Sequence, residues 1–193
     1  MNLPNQLTVA RFFLTMIFVA ALSLEWRFSN TVGLVVFIAA GITDYADGAI
    51  ARSRNLESDF GRLMDPLVDK IMMASAFICL VDTQVLPAWV AVVIIAREFL
   101  ITGLRLLAAS KGVVLPAERL GKHKTGWQIA TVIFFLGMFS IKELAGAGIG
   151  HTTMWWWMVR KVGGAILIGM VLILTLYSGL GYLWKNRALI KVA

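Results

Sequence analysis

Long apolar stretches separated by short polar ones dominate the pattern along this chain. Six stretches fit membrane-spanning helices, because each approaches or exceeds the roughly 20 apolar residues needed to cross a hydrocarbon core of about 30 Å. Their approximate bounds are 8–25, 31–51, 63–82, 86–109, 125–142 and 160–184. The pattern therefore predicts an all-α integral membrane protein with six transmembrane helices and a short N-terminal interfacial segment.

Composition supports a single membrane domain over residues 1–193. Hydrophobic residues make up 59% of the chain and charged residues 15%, and the mean hydropathy is +0.80, well above ordinary globular domains. The connections are too short to bury a separate soluble core. The N-terminus lacks an early basic region and a clear cleavage site, so we expect a retained first helix and not a signal peptide.

The distribution of positive charge predicts the orientation in the membrane. If the connections after the second, fourth and sixth spans share one side, that side collects eleven of the 18 basic residues, against four in the opposite connections. The positive-inside rule then places this side and both termini in the cytoplasm. Because the charges flank membrane spans, we expect membrane lipids and an anionic substrate as partners, and no nucleic acid.

Four aspartates surround the connection between the second and third spans, where carboxylates are costly. Asp44 and Asp47 are three residues apart and share a helix face, and Asp65 and Asp69, four apart, do the same. The short connection predicts that these four carboxylates converge. A central Asp costs roughly 2.5–3.5 kcal/mol on insertion scales, and like charges repel further. Something positive must therefore compensate them.

Salt bridges to Arg52, Arg62 and Lys70 would suffice for one such carboxylate, but four at helical spacing favour divalent metal ions. Mg²⁺ is commonly shared between carboxylates and substrate phosphates. Two ions held here would polarise a phosphoryl group and screen its developing charge. We therefore expect a site for two divalent ions, with Mg²⁺ as the metal and Mn²⁺ as the alternative.

Small residues beside these carboxylates indicate room for a ligand. Gly48 and Ala51 follow Asp47, and Gly61 relieves crowding at the turn. Arg52 offers a planar fork for phosphate oxygens. Glycine and alanine are also common in the packing of transmembrane helices, but their placement together with the aspartates favours a phosphate-bearing ligand.

The stretch Asp44-x2-Asp47-Gly48-x2-Ala51-Arg52-x8-Gly61-x3-Asp65-x3-Asp69 matches, at every fixed position, the signature of the CDP-alcohol phosphotransferase family. The resemblance implies a six-helix membrane core, a dinuclear metal site and transfer of a phosphatidyl or similar group from a CDP-linked donor to an alcohol, with release of CMP. The implied metal ligands are Asp44, Asp47, Asp65 and Asp69. Asp69 is implied to act also as general base. The residues implied to line the CDP site are Gly48, Ala51, Arg52 and Gly61.

The resemblance covers most of residues 3–130. "NLPNQLTVAR" is similar to the family's N-terminal segment, where Asn5, Thr8 and Arg11 either contact the nucleotide or cap and anchor the first helix. "REFLITGLRLLAASKG" and "AERLGKHKTGWQ" resemble the branch that makes phosphatidylglycerophosphate from CDP-diacylglycerol and sn-glycerol 3-phosphate. The family resemblance implies a homodimer, and we expect the protein in the bacterial inner membrane. The last two spans look generic.

Basic residues of the fourth span and the following loop indicate an anionic acceptor. Arg97 and Arg105 are eight residues apart and share a helix face. Arg97 lies within an apolar run, and we expect Glu98 to point elsewhere, so the guanidinium needs another anion. The residues predicted to bind the acceptor phosphate are Arg97, Arg105, Arg119, Lys122 and Lys124.

Two other functions fit parts of this pattern. A sibling enzyme would use another acceptor, such as inositol phosphate or phosphatidylglycerol. A cation or proton transporter would also carry intramembrane carboxylates. The clustering of the four aspartates near one membrane face, and not along a path through the midplane, argues against transport.

Overall fold

The computed structural model describes residues 3–24, 26–54, 59–113, 119–145 and 154–187. For some of these only the backbone position is described, and their side chains are not: 3–7, 44–54, 59–63, 65–66, 119–122 and 155. The described residues form helices and the turns between them, with no strand among them. The all-α prediction is therefore confirmed for this part of the chain.

The helices, in chain order, are α1 (Leu3–Ser23), α2 (Ser29–Arg54), α3 (Asp59–Asp82), α4 (Ala88–Ser110), α5 (Arg119–Ala145), α6 (Met154–Met158) and α7 (Gly164–Lys185). A π-helical turn, Val159–Gly163, joins α6 to α7 with helical backbone on both sides, so these three elements form one continuous segment. Each predicted span thus overlaps one helical segment.

Two helix boundaries change the interpretation of the sequence. α1 begins at Leu3, so the predicted interfacial segment is the first part of that helix. α5 begins at Arg119, so Arg119, Lys122 and Lys124 lie in its first turns and the prediction that they occupy a loop is wrong. The reason is helical periodicity: Lys124 continues the inward-facing stripe of α5 that Gln128 and Thr131 also occupy.

The outer surface of the helices is apolar, as expected for contact with lipid. Phe13, Val92 and Leu180 are 61%, 64% and 65% exposed, whereas a soluble protein rarely presents such residues over a wide surface. His123–Ala145 and Trp156–Lys185 are long and apolar enough to cross a membrane. Within Trp156–Lys185, only 28% of the most apolar 18-residue stretch is buried inside the protein. The core helix of a soluble protein is mostly buried. The chain is therefore a membrane protein.

The helices of the described part pack as a closed ring. α1 contacts α2 and α3, α2 contacts α5, α5 contacts α7, and α4 contacts both α7 and α3, while α3 also meets α5 across the ring. Each of these helices contributes to one hydrophobic core. Its members include Phe18, Phe37, Phe77, Ile94, Phe135 and Val171. The ring encloses the polar groups described below.

Glu143, near the end of α5, caps the start of α2. Its carboxylate accepts hydrogen bonds from the backbone N–H groups of Asn30 (2.8 Å) and Thr31 (2.7 Å). It also accepts from the Asn30 amide and the Thr31 hydroxyl, both at 2.7 Å. The first N–H groups of a helix have no partner within it, and a negative charge is favourable there. Glu143 therefore ties these two helix ends together.

Candidate functional site

A cavity of about 400 Å³ lies between α1, α2, α3 and α5. Its charged lining residues are Asp69 and Arg11. The apolar lining residues include Phe37, Ile38, Ile42, Met72, Met73, Ile129 and Ile133. An apolar cleft with a carboxylate and a guanidinium on its wall suits an amphiphilic ligand.

The helical repeat of α3 places Asp69 on this cavity. Met72 and Met73 follow it by three and four residues and line the same cavity, as residues one turn apart must. Val68 and Met72 also anchor the helix in the core, where they are 2% and 5% exposed. The side chain of Asp69 remains 40% exposed, so its carboxylate is open to a ligand.

Lys70 connects Asp69 to a second polar group deeper in the ring. Its Nζ lies 3.3 Å from Asp69 Oδ2 and 3.3 Å from Glu98 Oε2. Lys70 is therefore held between a carboxylate on the cavity and a carboxylate in the interior.

Glu98 is the centre of a buried cluster of cations. It is 7% exposed and receives a hydrogen bond from the ammonium group of Lys124, which is itself 2% exposed. Arg97 Nη1 lies 3.5 Å from Glu98 Oε1, and Gln128 Nε2 donates to the same oxygen at 3.4 Å. With Lys70, three cations surround one carboxylate. The cluster therefore carries excess positive charge in a buried position.

The expectation that Glu98 points away from Arg97 is wrong. Ile94, Glu98 and Ile101 form the buried stripe of α4, so Glu98 faces the interior, where a charged group requires a partner. The spacing of Glu98 from Ile94 and Ile101 is the sequence signal that could have revealed its inward direction. Arg97 consequently has a protein counter-ion, and its burial alone does not require an anionic substrate.

Arg97 and Arg105 both face α7, in agreement with their predicted common face. Arg97 Nη2 donates to Ser178 Oγ at 3.0 Å, and Arg105 Nε donates to the Tyr182 hydroxyl at 3.3 Å. The Arg105 guanidinium also lies over the Tyr182 ring, 5.4 Å from its centroid. The description of the last span as generic missed these residues.

The other predicted site residues are placed only in part. Thr8 and Arg11 are buried in α1, at 3% and 4% exposure. The remaining predicted residues belong to helices, but their side chains lie outside the described residues: Asn5, Asp44, Asp47, Gly48, Ala51, Arg52, Gly61, Asp65, Arg119 and Lys122.

The described residues are compatible with the predicted metal site without completing it. No group of three metal-ligating side chains occurs among the described ones, and Asp69 is the one predicted ligand whose side chain is described. Its carboxylate supplies the hard oxygen donors that Mg²⁺ and Mn²⁺ prefer. α2 and α3, which carry the other predicted ligands, both line the cavity at Asp69. The donor type and the helix placement therefore fit a divalent ion.

Fold and site together define a helical membrane protein that presents a carboxylate to an apolar cavity beside buried cations. Comparison with known proteins defines it further. The sequence model described as CDP-alcohol phosphatidyltransferase matches residues 1–176. The chain therefore belongs to the CDP-alcohol phosphatidyltransferase family.

Three curated relatives carry the name CDP-diacylglycerol--glycerol-3-phosphate 3-phosphatidyltransferase. The protein of Bacillus subtilis is 35% identical, and the match covers 100% of this chain and 98% of the relative. That of Rickettsia felis is 33% identical over 94% of this chain and 93% of its own length. The protein of Mycoplasma pneumoniae is 33% identical, and the match covers 82% of this chain and 77% of the relative.

Proposed function

We propose that this protein transfers the phosphatidyl group of CDP-diacylglycerol to sn-glycerol 3-phosphate, giving phosphatidylglycerophosphate and CMP. The observation that carries the proposal is the position of Asp69. It lies on an apolar cavity and, through Lys70, beside a buried group of cations. A lipid donor requires an apolar cavity on one side of the reacting atoms, and an anionic acceptor requires cations on the other side. The names of the relatives support the same reaction.

The apolar cavity is the place for the lipid end of the donor. Its walls of isoleucine, methionine and phenylalanine side chains suit the glyceride portion, while the acyl chains stay in the bilayer. Arg11 on the same wall offers a guanidinium to phosphate oxygens. Other residues are proposed, from the family signature and N-terminal segment, to surround the CDP group: Asn5, Thr8, Gly48, Ala51, Arg52 and Gly61.

The buried cations are the place for the acceptor phosphate. Arg97 and Lys124 belong to the cluster around Glu98, and Arg105 follows two turns later on the same face of α4. Arg119 and Lys122, in the first turns of α5, would complete the set. A dianionic phosphate gains charge-assisted hydrogen bonds from such groups, whereas a neutral alcohol such as inositol does not need them.

The transfer then takes place in one step. Asp69 removes the proton from the C1 hydroxyl of glycerol 3-phosphate, and this oxygen attacks the phosphorus that bears diacylglycerol. The bond from that phosphorus to CMP breaks in line with the attack. Two divalent ions, Mg²⁺ or Mn²⁺, bound to Asp44, Asp47, Asp65 and Asp69 would neutralise the pyrophosphate charge. Arg52 would contribute to the same effect.

The reaction itself can be tested with the purified full-length protein in detergent. We expect CMP release that depends on glycerol 3-phosphate, is lost on chelation of divalent ions and returns with Mg²⁺. Glycerol, serine, inositol, inositol phosphate and phosphatidylglycerol serve as competing acceptors. CMP release with one of these in place of glycerol 3-phosphate would identify a sibling enzyme, and the absence of CMP release with every acceptor would favour a transporter.

We propose further that all six helical segments cross the bacterial inner membrane, with both termini and the Asp69 end of the bundle in the cytoplasm and a homodimer as the assembly. The excess of basic residues at that end supports this orientation. Cys79 is the single cysteine of the sequence, so after its replacement by alanine single cysteines can be placed at Thr83 or Lys122. An impermeant thiol reagent added to sealed cells should label position 83 and not 122; the reverse pattern would overturn the orientation.

A further inference from the structure

Gly179 of α7 lies directly against the side chain of Arg97. A Cβ atom added to Gly179 would lie 2.9 Å from Arg97 Cγ, 3.3 Å from Nε and 3.7 Å from Cδ. The nearest of these atoms is close to the backbone of Arg97, so relief of the contact requires rotation at the start of the side chain. That rotation displaces the guanidinium at the far end. Only glycine at position 179 therefore permits the observed path of Arg97.

Ser178 fixes the far end of the same arginine. Arg97 Nη2 donates to Ser178 Oγ at 3.0 Å, and the Ser178 hydroxyl donates its own proton to the backbone oxygen of Leu174. The serine oxygen therefore presents its lone pairs to Arg97. Two consecutive residues of α7 thus constrain the path and one terminal nitrogen of this side chain, while the other terminal nitrogen lies 3.5 Å from Glu98 Oε1.

Tyr182, one turn further along α7, holds Arg105 in a similar way. It is 2% exposed, and its hydroxyl accepts from Arg105 Nε at 3.3 Å while its ring lies below the guanidinium at 5.4 Å. Neither of these two contacts uses the terminal nitrogens of Arg105. These are the nitrogens that bind phosphate oxygens in a forked pair.

We propose that α7 positions the two acceptor-binding arginines of α4, with Gly179 and Tyr182 as the positioning residues. The inference rests on the proposed function, because it gives Arg97 and Arg105 an acceptor phosphate to bind. Neither Gly179 nor Tyr182 touches the substrate. Both act by fixing the direction of a guanidinium, on which a forked hydrogen bond depends.

The first test compares two alanine substitutions on α7. Gly179→Ala should raise KM for glycerol 3-phosphate about 10-fold or more, since loss of one charge-assisted contact has an effect of this order. KM for CDP-diacylglycerol should change less than about two-fold. Gly181→Ala is the matched control, because a Cβ there meets nothing within 4 Å, and it should behave as wild type.

The second test removes one oxygen from the aromatic residue that holds Arg105. Tyr182→Phe keeps the ring and should raise KM for glycerol 3-phosphate about 3–10-fold, the effect of one hydrogen bond. Tyr177→Phe is the control, because Tyr177 lies on the same helix but is 68% exposed. Tyr182→Phe preserves almost all of the side-chain volume, so this test remains informative if Gly179→Ala does not fold.

A double-mutant cycle separates positioning from a merely structural role. If Gly179 acts through Arg97, then Gly179→Ala adds nothing to KM for glycerol 3-phosphate in the Arg97→Gln background. If it acts by general packing of α4 against α7, the two effects multiply, and KM for the donor and kcat change as well. Multiplied effects would overturn the proposal.

Direct changes to the acceptor site distinguish failure of this inference from failure of the proposed function. Lys124→Gln and Arg105→Gln should each raise KM for glycerol 3-phosphate about 10–100-fold. If they do and the α7 variants do not, only the role of α7 is wrong. If neither the acceptor-site variants nor the α7 variants raise KM for glycerol 3-phosphate, the acceptor site is wrongly placed, and the positioning role of α7 is wrong as well. Absence of any CMP release that depends on glycerol 3-phosphate would overturn both.

Discussion

Replacement of Asp69 by asparagine is expected to lower kcat by about 10²–10⁴-fold, the usual contribution of a positioned general base. The amide oxygen can still bind a metal ion or a local donor, so the fold and most of the donor affinity should persist. It cannot accept the proton of the acceptor hydroxyl. CMP release at saturating substrates measures the first effect, and equilibrium binding of CDP-diacylglycerol measures the second.

Asp82→Asn is the control for this experiment, because Asp82 is an exposed carboxylate at the opposite end of α3. It should leave both quantities unchanged. Near-normal turnover of the Asp69 variant at saturating substrates would show that another group takes the proton. Loss of donor binding in step with turnover would show that Asp69 serves mainly as a metal ligand.

Glu98→Gln should have the largest effect on stability. The substitution removes the carboxylate that Lys70, Arg97 and Lys124 share. Lys70 keeps Asp69, whereas Lys124 is 2% exposed and loses its counter-ion. Removal of one partner from a buried ion pair costs about 3–5 kcal/mol, which in a chain of this size lowers the thermal midpoint by about 6–20 °C. Thermal unfolding of the purified protein in detergent measures this change.

A second substitution shows whether charge is the cause. Addition of Lys124→Gln to Glu98→Gln removes the buried ammonium group that has lost its counter-ion, so the double variant should regain part of the lost stability. If instead the two losses add, Glu98 stabilises the helix packing through its shape and hydrogen bonds, and the charge argument fails. Equal midpoints for wild type and Glu98→Gln would contradict both accounts.

The helices could be predicted from the sequence because their cause is local. Long apolar runs and 3.6-residue periodicity are visible within short windows of the chain, and each predicted span overlaps one helical segment. The spacing of Asp65 and Asp69 predicts a common helix face in the same local way; of these two side chains the structure describes that of Asp69, which lies on the cavity.

The partners of buried charges could not be predicted, because they come from other helices. Glu98 is adjacent to Arg97 in sequence, but its contacts with Lys70 and Lys124 depend on how α3, α4 and α5 pack. Its position on the buried stripe of α4 was visible in the sequence. The identity of the cations around it was not.

The contribution of α7 was hidden for a different reason. Gly179 functions through the absence of a side chain, and a glycine in an apolar helix has the same composition signal as ordinary helix packing. Tyr182 resembles the aromatic residues found near the end of any span. Only the crossing of α4 and α7 reveals which glycine and which tyrosine meet an arginine.

The cap that Glu143 places on α2 has a consequence for biosynthesis. Its carboxylate and the backbone N–H of Asn30 are separated by 113 residues along the chain, and α3, α4 and most of α5 are made in between. Until the ribosome has produced α5, the N–H groups of Asn30 and Thr31 must bond to water or lipid headgroups. The start of α2 therefore reaches its final hydrogen bonding late in translation, well after the helix itself has been synthesised.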